Sequence, residues 1–424
     1  MRCILAVLLA CSTNVLVVAQ DVVRPKDVRE AAKAGSSAIP KLAEYLKNPD
    51  REVRLEAVKQ IGEIGTVRSL DPLIAATRDS EPEVQIRATD GLVNFYLPGY
   101  LKTGFAGSIR RVGTDLKGKF TDTNDQVIDR YITVRPEVIA ALGALVGGAG
   151  SMMDVRANAA RAVGVLRGRA AIPELVDAAH SKNSALIYES LVAMEKIRDE
   201  SAGPRVAFLL HDPDPKVQTT AMETVGLLQD KQALPDLIEV FNRARDVKVK
   251  RAALEAIAML PAESSRPIYV QYVGDKDEKL RAAAAEGFAR LANPVDLPVV
   301  QKAWDDEGKT SPRLSLAFAL VALGKTEVSQ FSPLQFLINN LNSAAFNGIA
   351  HPFLIELARN PEVRTALYGP LASGTKDEKI GVSRVLAVSG DSQSIAQLQK
   401  LSNDPDADVA QAALTAVRNL QARM

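Results

Sequence analysis

The residues of this sequence best suited to chemistry are few. His180, His211 and His351 are its three histidines, and its two cysteines, Cys3 and Cys11, both fall within the first 19 residues. His180 and His211 stand 31 positions apart, a spacing that would set two imidazoles in equivalent places of adjacent units, about 10 Å from each other. The plainer reading is stronger, because each ends an apolar helical stretch (Ala179-His180, Leu210-His211), where the negative end of the dipole favours a histidine. Gly308-Lys309-Thr310 and Gly324-Lys325-Thr326 match the end of a phosphate loop, but Ala303 and Ala319 stand where its first glycine is required, and both follow helical patterns instead of strands. Gly143 to Gly150 is glycine-rich without a following Lys-Ser, and reads as a helix terminus and loop. Carboxylate pairs such as Asp305-Asp306 fall in polar turns, where solvated caps are commoner than acid–base dyads, and Trp304 reads as a packing residue. The expectation is a chain that is not an enzyme, with no catalytic, cofactor or metal residues.

One stretch does gather functional residue types. Asn94 to Asp125 concentrates aromatic and basic side chains in a chain with only 5% aromatics. The candidate partner-binding residues are Tyr96, Tyr100, Lys102, Arg110, Arg111, Lys117 and Lys119; between Lys102 and Lys119 the only acid is Asp115. Residues 97–135 are therefore either a cationic, aromatic insertion that recognises an acidic partner, a glycan or an anionic polymer, or a degenerate repeat with its aromatics folded into the core. Tyr96 also fits the helix before it. Overall the chain carries 52 basic and 51 acidic side chains, a net charge of +1, which makes it a poor general polyanion binder; a protein partner is expected and nucleic acid is not.

Residues 1–19 read as a secretory signal peptide: Arg2, an apolar run from Ile4 to Ala10, a second from Val15 to Val18, and small residues at Val17 and Ala19 before a cleavage point. Leu8-Leu9-Ala10-Cys11 also matches a lipoprotein box, with Cys11 as the anchor. Either way export is expected, to a bacterial periplasm or cell envelope, and a chain cleaved after Ala19 would have no cysteine for disulfides, thiol catalysis or zinc. Beyond this segment no apolar run approaches the roughly 20 residues of a membrane span.

The elements that position these residues are read from a repeat. Pro40, Pro72, Pro136, Pro173, Pro204, Pro235, Pro267, Pro298, Pro333 and Pro370 recur at about 32 residues, with one doubled step between Pro72 and Pro136. Proline is tolerated in the first turn of a helix, so each opens a short helix. An acidic or proline-containing turn and a second amphipathic helix follow, as in Asn48-Pro49-Asp50-Arg51-Glu52-Val53-Arg54-Leu55-Glu56-Ala57. Counted from the anchor valine, an alanine at +4 and a glycine or alanine at +9 keep the second helix close to its neighbours, and Arg54, Arg156 and Arg281 at +1 can reach the acidic turn of an adjacent repeat.

Such a unit cannot bury both apolar faces alone, so neighbours must stack. The fold class is all-α, an α-solenoid of about eleven two-helix repeats: an N-terminal cap at 20–35, repeats over 36–96, the 97–135 break, and repeats with a C-terminal cap over 136–424. Units around 331–391 lose the acidic-turn signature. The Asp-x-x-Val-Arg-x-x-Ala core resembles HEAT repeats, particularly the short bilin-lyase-like variety of exported proteins. HEAT arrays serve as scaffolds, transport adaptors, chromophore lyases, DNA glycosylases and hydroxylases. The resemblance thus implies a protein-interaction scaffold, with a bilin-lyase-like enzyme and a nucleic-acid-binding array as alternatives. The absence of any His-Glu dipeptide removes the ligand pairs that HEAT-type deoxyhypusine hydroxylases use for iron.

Overall fold

The computed structural model describes residues 23–100, 126–149 and 152–424. Helix starts follow the acid-and-proline punctuation. The Asp50 carboxylate accepts the backbone N–H of Glu52 (2.9 Å) and opens the helix Arg51–Ile64, which ends at Gly65 in the left-handed conformation (φ 56°) that glycine adopts without strain. Asp214, Asp246, Asp277 and Asp406 cap four later helices the same way. Pro173, Pro235, Pro267 and Pro298 each lie in the first turn of a shorter helix.

These elements alternate as short first helix and longer second helix, and eleven such pairs follow one another among the described residues, from Ile39–Tyr45 with Arg51–Ile64 to Ser392–Leu401 with Ala407–Gln421. The helix Pro25–Ala32 covers the first pair, with Arg29 reaching Glu56 (3.1 Å). Pairing persists where the signature fades: Pro333–Asn339 precedes Asn347–Leu357, and a first helix broken into Pro361–Ala366 and Tyr368–Ser373 precedes Lys376–Ser389. One apolar core runs through the whole stack.

Second helices pack directly on second helices, while first helices are spread more widely, so the second helices line the concave face. Small residues permit the approach. A methyl group added at Gly164 would lie 2.7 Å from the Cα of Ala193 in the next repeat, and Ala159 and Ala284 are fully buried. Ion pairs tie successive repeats: Arg54 to Asp79 (2.8 Å), Arg251 to Asp277 and Arg281 to Glu307 (2.7 Å). Arg156 departs from the expected pattern and donates to the Val146 carbonyl (2.9 Å), because the turn of the next repeat, Ser181-Lys182-Asn183, offers no carboxylate.

Across the doubled step the stack is continuous. The helix Pro82–Tyr96 packs on Met153–Val165, with Asn158 Nδ2 donating to the buried Asp90 carboxylate (3.0 Å), and Arg135 pairs with Asp71 (2.9 Å). No helix of the described residues is long and apolar enough to cross a membrane.

Candidate functional site

In the middle of the chain successive second helices carry a row of glutamates. Glu223, Glu255 and Glu286 each follow their helix's anchor residue (Val217, Val249, Leu280) by six positions, and Glu195 continues the row on the preceding helix. Thr224 Oγ1 donates to Glu195 Oε1 (2.8 Å) and Ser315 Oγ to Glu286 Oε1 (3.3 Å). Arg290 ends the row, pairing with Glu286 (3.2 Å) and across to Glu356 (3.0 Å). A recess of about 210 Å³ lies between the helices Pro215–Leu227 and Val247–Met259, edged by Thr219, Glu223, Glu255 and Met259.

The surrounding protein strips water from these carboxyls, and this desolvation is the largest cause of their shifts. Glu195 is pushed up to about 8, with repulsion from Glu223 adding to burial, and Glu255 to about 7, with repulsion from Glu286 adding. Glu223 and Glu286 are raised by burial as well, although Arg198 and Arg290 pull them back. Glu223 still reaches solvent at the edge of the recess. Glu195 and Glu255 are thereby brought to where they exchange protons near neutral pH, and the row can accept a cationic group.

The residues singled out by sequence fare differently. Tyr96 and Tyr100 are buried, at 8% and 5% exposure, as in the reading that folds the aromatics of this stretch into the core. Tyr96 ends its helix, meets Phe95 edge to face (4.8 Å) and accepts the Arg135 N–H at its hydroxyl (3.1 Å), so it joins the strip before the next repeat to the core. Lys102, Arg110, Arg111, Lys117 and Lys119 lie outside the described residues, as do Cys3, Cys11 and the rest of residues 1–22. His180 and His211 are both exposed; His180 follows its first helix and stacks flat on Phe208 (4.3 Å). Among the described residues no group of three His, Cys, Asp or Glu could hold a metal ion. Trp304 is buried between repeats, edge-on to Phe336 (5.5 Å) and under the Arg313 guanidinium (4.0 Å). Gly308 precedes the helix Thr310–Ala322 and Gly324 follows it, so both Gly-Lys-Thr triplets lie at helix boundaries.

The family model of HEAT repeats matches residues 20–93 and 234–321. Those two stretches are HEAT repeats. The helix pairs between and beyond those stretches continue the same stack. Among solved structures the HEAT array is similar to the CpcE–CpcF complex of phycocyanin lyase from Nostoc sp. PCC7120, at 17% identity over 69% of this chain and 90% of that one, with a TM-score of 0.33. It is also similar to human deoxyhypusine hydroxylase, at 18% identity over 68% of this chain and 96% of that one (TM-score 0.28). An engineered protein matches at 18% identity over 94% of this chain and 95% of its own (TM-score 0.28). No curated protein matches the sequence.

The glutamate row went unremarked in the sequence, although its signal is there: a Glu six residues after the anchor in three consecutive second helices. On a single helix that position is indistinguishable from a solvated one.

Proposed function

We propose that this protein is a non-catalytic scaffold, exported to a bacterial periplasm or cell envelope, that holds a protein partner against the concave face of its solenoid. The observation that carries the reading is the form of that face. It is a continuous surface many repeats long, whose charged side chains recur from one repeat to the next, and a repeated surface suits an extended macromolecular ligand better than a small substrate. The basic residues from Lys102 to Lys119 add a second contact in this reading, without Tyr96 and Tyr100. Export rests on Arg2, the apolar runs and the Val17-x-Ala19 site.

The test is affinity capture from envelope and cytosolic fractions with mass spectrometry, together with N-terminal sequencing of the cellular protein. A specific envelope partner and a mature N-terminus at Gln20 support the proposal, and an acylated Cys11 would keep export but replace the processing route. A cytosolic protein retaining Met1, or one that turns over a substrate, overturns it.

A further inference from the structure

Residues 126–135 form a non-helical strip that joins distant parts of the chain. The Ile128 N–H donates to the Val165 carbonyl (3.0 Å). Two residues on, the Arg130 N–H donates to Asn419 Oδ1 (2.9 Å), and Asn419 Nδ2 donates to Asp129 Oδ1 (3.1 Å). The strip thereby ties the end of Met153–Val165 to the last helix, Ala407–Gln421.

Five arginines meet around it. Arg130 lies on the strip; Arg167 donates to the Ile128 carbonyl (3.2 Å) and to the Lys196 carbonyl (3.4 Å), two residues before Arg198. Arg423 follows the last helix and donates to the Gly390 carbonyl, and Arg359 follows Asn347–Leu357. Burial holds Arg167, Arg198 and Arg423 below the ordinary arginine value; repulsion from Arg130 adds to it on all three and from Arg359 on the last two, while Asp129 pulls Arg167 back and Glu195 and Glu223 pull Arg198 back. Their neighbours Arg169 and Arg364 are neutralised by Asp199 and Asp391. Among the described residues none of the five makes an ion pair, and a bond or two to helix-end carbonyls leaves most of each guanidinium's five donors unused. Arg130 and Arg359 are exposed and their side chains make no hydrogen bond among the described residues. Beside Arg130 and Arg167 a cavity of about 340 Å³ opens, walled by Ile128, Ile132, Ile139 and Leu166.

We infer that this arginine cluster is the docking site for a short acidic segment of a protein partner, one that carries an apolar side chain next to its carboxylates. Unpaired guanidiniums match carboxylates bidentately, and the apolar cavity takes the neighbouring side chain. The segment is short because Glu195 and Glu223, which act on Arg198, begin a row of carboxyls along the second helices that offers an anionic chain no guanidinium to pair with. This site deepens the scaffold reading and rests on it.

The probe is a fluorescent peptide of glutamates with one central leucine, titrated by anisotropy into the full chain and into the Arg130→Gln, Arg359→Gln double variant. Expected is salt-sensitive binding that weakens at least about tenfold in the double variant and in a peptide with glutamine for glutamate. The double variant should melt no lower than the parent, since it relieves repulsion. Equal binding by parent and variant, or a marked drop in melting temperature, overturns the assignment; so does tighter, variant-sensitive binding of a single-stranded DNA oligonucleotide. A cellular partner captured equally by parent and variant sinks this site and leaves the scaffold, whereas peptide binding without any cellular partner leaves the site and sinks the scaffold.

Discussion

Gly287 sits on the helix Glu278–Leu291 where the ring of Tyr269 crosses it. A methyl group there would lie 2.4 Å from Tyr269 Cε1 and Cζ and 2.7 Å from Cδ1, against an ordinary carbon contact of about 3.5–4.0 Å. The ring cannot step aside: Tyr269 is fully buried, its hydroxyl donates to the Ile257 carbonyl (3.1 Å), and Phe288 packs edge-on against it (5.8 Å). Overpacking of this kind costs about 1–3 kcal/mol, and an overlap of more than 1 Å with a pinned ring belongs at the upper end. Alanine recovers about 1 kcal/mol in helix propensity. Gly287→Ala should therefore lower stability by about 2 kcal/mol in urea unfolding followed by circular dichroism. In a Tyr269→Ala background the clash is gone, so the same substitution should stabilise by up to about 1 kcal/mol, a coupling of about 3 kcal/mol between the two positions. A neutral or stabilising Gly287→Ala in the parent chain would refute the account of how the first and second helices fit in this repeat.

Two other outcomes follow from the charges. Glu255 titrates near 7 in the folded chain against 4.5 for its ordinary value, so the folded state binds the extra proton between those limits, and stability falls as pH rises through that window. The contribution is at most about 3 kcal/mol; melts from pH 4 to 9 should show Glu255→Gln losing less stability across it than the parent, and parallel curves would disprove the shift. Arg281→Met strands the Glu307 carboxylate, whose side chain is 6% exposed, and removes two carbonyl bonds to Asp275 and Lys276. It should cost about 2–3 kcal/mol, whereas Lys302→Met, which breaks an exposed pair with Asp306, should cost less than about 0.5 kcal/mol; equal costs in urea unfolding would contradict the burial argument.

How much was legible from residues alone depended on range. Pro40, Asp50, Val53, Ala57 and Gly62 act within one repeat or on its immediate neighbour, and their roles as helix starters, caps and close-packing positions were readable because propensity, capping and 3.6-residue periodicity are local. The Arg54 and Arg281 contacts were readable for the same reason, being one repeat away, and Arg156 failed only where the next turn lacked an acid. Tyr96 could be placed on a helix, but whether its ring faced solvent or core depended on Arg135 and the repeat beyond the break.

Sequence by itself determined the all-α repeat, its period and the interruption after Tyr96, since each follows from short-range chemistry repeated along the chain. Only the tertiary structure decided that Glu195, Glu223, Glu255 and Glu286 line one surface, and that the strip at Ile128–Arg130 reaches Asn419 at the far end. Superhelical curvature is the physical reason. It accumulates from small rotations at every repeat interface, so the meeting of residues nearly 300 positions apart is a sum over the whole stack that no single repeat encodes.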